Sequence, residues 1–327
     1  MPYKKDISLE VRLSKAKIEW NLVKSAPEYK IPKVNIKIIK KTNDKLCVIV
    51  PDAQIGYYRD KSGKLIPTHD EKAINIALSI IKDIRPNLVI CVGDNLDFPE
   101  FGKYRTTPAF KQTTQAAIDR AGLFAAQLRR SAPRARIIWL AGNHEERLPN
   151  YILDNAFAIY GLRNSEDVEA GPALSVPNLC NFDKYDIEYL SGYPAGEFWI
   201  NDNLKVIHGT KAKSNANTAH AYLRDEQVSV LYGHIHRIET AFKTRRTAKG
   251  SLTTMAASAG CLARVDGAVP SMKGSKDLDG RPVTAHEDWQ QGLGVVTYQT
   301  IGKHKFSYEV ISIENGWAMF RGTQYRA

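Results

Sequence analysis

The run NLVICVGDNLD (residues 87–97) decides how the rest of the chain is read. Its first part, NLVICV (87–92), is apolar and rich in branched residues, the composition of a strand buried on both faces. Gly93 stops the run, and Asp94-Asn95-Leu96-Asp97 follows at once. In an open α/β sheet the loops beyond the carboxyl ends of strands form the ligand crevice, so a strand ending in carboxylates delivers them there. Working outward, LCVIV (46–50) and ARIIWLAG (135–142) repeat the pattern of an apolar run followed by a polar cluster. Helical periodicity covers Glu71–Ile84 and Thr113–Arg130 between them, and a third helix is expected over Glu145–Tyr160. Strands separated by helices at this spacing imply βαβ units and a sheet with parallel pairs.

Past residue 200 strands dominate: LKVIHG (204–209), VSVLYGH (228–234), IETAFKT (238–244), LTTMAAS (252–258), GVVTYQT (294–300), FSYEVISI (306–313) and WAMFRG (317–322). The last three read as an antiparallel meander. Residues 161–200 are dense in Gly and Pro and read as an irregular insertion or cap. Residues 264–292 form a long polar loop, and such loops are often functional. The expected organisation is a basic N-terminal appendage over 1–45 and one main domain over 46–327. Within the appendage, Ile7–Val23 suits a short amphipathic helix and Val34–Ile39 an edge strand.

Bulk properties narrow the class. Apolar residues make up 43% of 327, enough for a sizeable core. No apolar run reaches the roughly 18–20 residues that span a membrane, and no apolar segment follows the basic N-terminus as a secretory signal would require. Cys47, Cys91, Cys180 and Cys261 show no CxxC spacing; they read as reduced and structural, in keeping with a cytoplasmic protein. Net charge is +11, and before residue 46 twelve Lys/Arg face only five Asp/Glu. Basic surface attracts phosphate, which makes nucleic acid the expected partner, although solubility alone explains the charge about equally well.

Five short clusters close apolar runs: Asp52-Ala53-Gln54, Gly93 to Asp97, Gly142-Asn143-His144-Glu145, His208-Gly209 and Gly233-His234-Ile235-His236. Each alone is a common pattern; an Asp after a strand is most often a helix cap. Five in order, each at a strand end, converge on one place. Asp and His are ligands of hard-to-borderline divalent metals, and Asn adds a neutral oxygen. A carboxylate can bridge two cations roughly 3.5–4 Å apart, the spacing used in phosphoryl displacement. His69, His220, His286 and His304 fall outside the clusters and read as surface or loop residues.

The order of these motifs resembles the calcineurin-like metallophosphoesterase superfamily, over residues 46–236. Within it, GNHEER (142–147), HGTK (208–211) and DWQQG (288–292) are similar to bacteriophage-encoded phosphoesterases of the repair-nuclease-like kind. The resemblance implies a four-layer αββα sandwich of two mixed sheets. It implies two divalent metal ions, with Asp52 and His236 on the first, Asn143, His208 and His234 on the second, and Asp94 bridging. His144 would serve the leaving group and Asp97 would orient its imidazole. The implied reaction is hydroxide attack on phosphorus, promoted by the metals. One position departs: the first motif normally ends in His, and here it is Gln54. A carboxamide oxygen makes that site harder, which favours Mn²⁺, with Mg²⁺, Fe²⁺ or Zn²⁺ as alternatives.

Substrate choice lies in the loops. Lys103, Tyr104, Arg105, Lys211 and Arg264 are the expected substrate-binding residues, since aromatic and basic groups together suit a base beside its phosphate. The leading expectation is a nuclease on DNA or RNA. A small-molecule phosphodiesterase or pyrophosphatase is the alternative, and a non-catalytic binding scaffold is the alternative of another class. No membrane partner is expected; a homodimer is compatible with the resemblance.

Overall fold

The computed structural model describes residues 43–103, 106–165, 171–248, 250–269, 288–301 and 305–327. These belong to one unit, Asn43–Ala327. The helix expected over 7–23, the strand over 34–39, and Tyr104, Arg105, His286 and His304 lie outside the described residues.

Strand β1 (Lys45–Val50) leads through a small hairpin, β2 (Tyr57–Arg59) and β3 (Leu65–Pro67), into helix α1 (Glu71–Ile84). Asp70 caps α1, accepting from Lys72 N at 2.9 Å and Ala73 N at 3.2 Å, which satisfies two of the N–H groups a helix start leaves open. Its apolar stripe buries Ile74, Ile76, Ile80 and Ile81, each contributing roughly 1.5–3 kcal/mol by removal from water. There follow β4 (Leu88–Cys91), α2 (Thr114–Ser131), β5 (Arg136–Leu140), α3 (Arg147–Asn155), α4 (Val176–Leu179), β6 (Ile187–Leu190), β7 (Glu197–Asn201), β8 (Leu204–Ile207), α5 (Thr218–Asp225) and β9 (Ser229–Tyr232). The chain closes with β10 (Ile238–Thr247), β11 (Gly250–Ala259), β12 (Gln291–Tyr298), β13 (Phe306–Glu314), β14 (Trp317–Phe320) and β15 (Thr323–Arg326).

Two mixed sheets result. The first has eight strands in the order β15-β14-β13-β12-β1-β4-β5-β6 and the second five, β10-β11-β9-β8-β7. In the first, β1, β4, β5 and β6 are parallel and the β12–β15 meander is antiparallel. Alternation along β1, β4 and β5 feeds two cores. Ile49, Ile90, Ile138 and Leu140 point toward the second sheet and meet Leu204, Val206, Leu231 and Ala257. Val48, Val89, Ile137 and Trp139 point the other way, onto the faces of α1 and α2. Helix α5 covers the outer face of the second sheet through Ala219, Tyr222 and Leu223. The architecture is the expected αββα sandwich. All four cysteines are free and buried.

Two expectations need correction. The third helix is shorter than Glu145–Tyr160: it spans Arg147–Asn155 and gives way to a 3₁₀ turn at Phe157–Ile159. The stretch 161–200 is not wholly irregular, because it supplies an edge strand to each sheet, β6 pairing with β5 and β7 with β8. Its glycines and prolines punctuate short strands.

Strand register brings the polar clusters to a common level. Val50 pairs with Cys91, and Cys91 with Trp139, so β1, β4 and β5 end in step. Ile207 pairs with Tyr232, so β8 and β9 also end in step. Among the described residues, no helix is long and apolar enough to cross a membrane.

Candidate metal centre

Each of the five polar clusters follows one of those five strand ends, and the structure brings them together. Asp52 Oδ2 accepts from His234 N at 2.9 Å and lies 3.1 Å from His236 Nε2. The Gln54 carboxamide reaches the same ring, with Nε2 3.3 Å from His236 Nε2. Asp52, Gln54 and His236 therefore form one group. In a second group, His208 Nε2 lies 3.1 Å from Asn143 Oδ1 and 3.3 Å from Asp94 Oδ2, and the His234 ring sits edge-on at 5.3 Å. Ligand atoms of Asp94, His208 and His234 all lie within 4.8 Å of one another, near enough to hold one metal ion.

The backbone is bent to make this possible. Gln54, Asp94, His234 and His236 all take positive φ, between 50° and 70°. Such conformations cost of order 1–3 kcal/mol each in non-glycine residues and cluster at functional sites. Space is equally constrained. A Cβ on Gly142 would come within 2.1 Å of Asp94 Oδ1, and one on Gly233 within 2.5 Å of Asp52 Oδ1.

Charge is concentrated here away from water. Asp52, Gln54, Asp94, Asp97, His144, His208 and His236 are all buried. Burial works against a charged His208, but the Asp94 carboxylate outweighs it and pushes the imidazole up to about 9. His208 Nδ1 rests on the Val92 carbonyl at 2.9 Å, which leaves Nε2 as the atom facing Asp94 and Asn143. Burial and the neighbouring His208 lower His234. Asp94 is held low against its burial by His144 and His208. Asp52 Oδ1, Gln54 Oε1, His234 Nδ1 and His236 Nδ1 are buried without a hydrogen-bond partner. Such atoms are costly unless something is bound there. Carboxylate, carboxamide and imidazole donors converging with spare lone pairs fit divalent cations.

The catalytic pair expected from the motifs is adjacent. His144 Nδ1 lies 3.0 Å from Asp97 Oδ1, off the line of a well-aligned hydrogen bond, and His144 N donates to Asp94 Oδ1 at 2.8 Å.

The chain is a member of the calcineurin-like phosphoesterase family. The family's model matches residues 68–238, just over half of the chain, and begins after Asp52 and Gln54. The family's enzymes are dinuclear and metal-dependent, and this chain is accordingly a metallophosphoesterase. The chain is 26% identical over 176 residues to the Gene 54 protein of Mycobacterium phage D29, and 24% identical over 175 residues to the Gene 54 protein of Mycobacterium phage L5. Each match takes in 53% of this chain and 66% of the relative, so the chain spans just under two thirds of these curated relatives. It is also similar to Yfce, a phosphoesterase from E. coli, at 8% identity over 81% of this chain and 98% of that one, with a TM-score of 0.29. That score is too low for any conclusion to rest on it.

The residues expected to bind substrate fare differently from the metallophosphoesterase cluster. Lys103 is exposed. Lys211 is held by Asp225 at 2.9 Å and lies over the Tyr222 ring. Arg264 donates to the Pro67 carbonyl and pairs with Asp266, in a concavity shared with His69, Asp70 and Lys72. Local partners therefore engage Lys211 and Arg264 away from the metal ligands. His69, expected at the surface, is buried: its Nε2 lies 3.0 Å from Glu71 Oε1 and its ring meets Tyr57 edge-on.

Four residues around the centre carry no role in the sequence reading. Glu145 accepts from the backbone N–H of Asp94, Asn95, Leu96 and Gly142 and from Trp139 Nε1, clamping the two ligand loops together. Burial and the Asp94 charge push its carboxyl up, against the pull of those N–H groups. Arg147 Nη2 lies 2.9 Å from His144 Nε2. Trp289 packs edge-on against His236 at 4.0 Å and Tyr193 against His208 at 5.6 Å, walling the centre on two sides. Glu145 and Arg147 stand inside GNHEER, so the motif contained them; Tyr193 lies in the stretch read as irregular and gave no signal.

Proposed function

We propose that the chain is a two-metal phosphodiester hydrolase acting on nucleic acid, with Mn²⁺ as its preferred ion. The observation that carries the reading is the buried convergence of Asp52, Gln54, Asp94, Asn143, His208, His234 and His236, with unpaired ligand atoms, at the joined ends of two sheets. Asp52, Gln54 and His236 would hold one cation and Asn143, His208 and His234 the other, with the Asp94 carboxylate between them. When bound, such a pair polarises a phosphoryl oxygen and lowers the pKa of water. The protein's own part is orientation. The Val92 carbonyl fixes which His208 nitrogen faces inward, an outer hydrogen bond of the kind that tunes metal ligands. Asp97 sits behind His144 on the side away from the ligands.

Nucleic acid is favoured by the net charge of +11, since phosphate neutralisation dominates such binding. The aromatic walls supply faces on which a base can stack. The test is a hydrolysis panel in Mn²⁺: single- and double-stranded DNA, RNA, cyclic nucleotides, ADP-ribose and an aryl phosphodiester. Cleavage of nucleic acid that weakens steeply between about 50 and 200 mM salt is the expected result. Turnover confined to the small substrates would overturn the choice of nucleic acid while leaving the hydrolase.

A further inference from the structure

We infer that Arg147 is the catalytic residue that meets the departing oxygen; this rests on the phosphodiesterase reading above. The geometry begins at His144. A guanidinium carries only N–H donors, so the nitrogen it points at must accept. Arg147 Nη2 points at His144 Nε2 from 2.9 Å. In this arrangement His144 Nε2 has no proton to give, and its other nitrogen faces Asp97 Oδ1 at 3.0 Å. Among the described residues, the proton-bearing side chain on the inner side of the ring is therefore Arg147.

Its anchoring supports the assignment. Arg147 Nη1 donates to the Asp97 carbonyl at 2.6 Å and lies 3.5 Å from Asp97 Oδ1. One end of the guanidinium is thus fixed while Nη2 stays on the His144 side. The side chain is 16% exposed, so it reaches the rim of the site without being sealed in the core. Arg147 is also the first residue of α3, where a cation opposes the helix dipole. Helix stability does not explain an arginine there. His144 Nε2 lies 3.6 Å from Asp94 Oδ2, which places Arg147 one ring-width from the metal ligands.

The step balances without a proton leaving Arg147. Water oxygen forms a new bond to phosphorus, and the bond from phosphorus to the leaving oxygen breaks with its electron pair going to that oxygen. Arg147 donates a hydrogen bond to the resulting anion, which takes its proton from solvent; the attacking water releases one proton to solvent. Arginine suits this role because it stays charged throughout.

The experiment uses the full chain in Mn²⁺ with aryl phosphodiesters of graded leaving-group basicity, comparing wild type, Arg147→Ala and Arg147→Lys. A hydrogen bond to a charged group contributes about 1.5–3 kcal/mol, so Arg147→Ala should lose about 10–100-fold in kcat with the most basic leaving group. The loss should shrink toward unity with 4-nitrophenolate, with KM little changed. Arg147→Lys should recover part of it, and added guanidinium should restore Arg147→Ala. A loss equal for every leaving group, or no loss, would overturn the assignment and leave Arg147 a positioning residue for His144. A wild type that hydrolyses none of the diesters would instead remove the phosphodiesterase reading, and this inference with it.

Discussion

Two buried histidine–carboxylate clusters occur in this chain, and they are finished to different degrees. Around His69, every strong group has a partner. His69 Nε2 meets Glu71 Oε1 at 3.0 Å, and Glu71 takes two N–H groups of Arg120 at 2.7 Å each. Around Asp94, the same residue types are left with Asp52 Oδ1, Gln54 Oε1, His234 Nδ1 and His236 Nδ1 unpaired. The first cluster is closed by the protein's own arginine. The second lacks a cation that the chain does not provide. Residue type alone does not separate a structural histidine from a ligand; the state of satisfaction of its neighbours does.

The comparison can be broken most severely at Glu145. Although it lies within the metal centre, it behaves as the closed cluster does, with five N–H groups on one carboxylate. Glu145→Ala leaves those donors buried and unpaired, at about 1–3 kcal/mol for each one that water does not reach. Chemical denaturation should show a loss of more than ~3 kcal/mol. A loss within ~0.5 kcal/mol would mean that the two ligand loops hold each other without it.

A smaller effect sharpens the other side. The Arg120 guanidinium, then His69, hold the Glu71 carboxyl well below its ordinary value of 4.5. A depressed folded pKa gives stability that is complete above the unfolded value and lost as pH falls through the folded one. The Glu71 carboxylate is partly exposed, so solvent screens the gain. Wild type should melt a few degrees above Glu71→Gln near pH 7, and the gap should close as pH drops below about 4.5. A gap independent of pH would show that shape, rather than charge, holds this cluster.

How much of this was legible in the sequence depends on physical range. Strand ends and the residues just beyond them are local features, so Asp52, Asp94, Asn143, His208, His234 and His236 could be read from apolar runs and their stops. Helix α1 was legible to the residue, because a 14-residue apolar stripe with an Asp cap is also local. Partnership is not local. Glu71, which joins His69 to Arg120, finds that arginine across 49 positions. Tyr193 finds His208 through a turn between edge strands of two different sheets. Arg264 looked like a loop cation free for substrate, yet Asp266, two residues on, pairs with it. The strands at Ile187–Leu190 and Glu197–Asn201 were hidden because short edge strands broken by Gly and Pro carry little periodicity.

The central claim is that the unpaired cluster is a two-cation site. The most direct measurement is a calorimetric titration of the metal-free full chain with Mn²⁺, beside Asp94→Ala. Two ions bound per wild-type chain, with binding weakened or lost in Asp94→Ala, is the predicted result. A single ion would contradict the two-ion account and take Gln54 out of the ligand set, and no binding at all would contradict the metal centre itself.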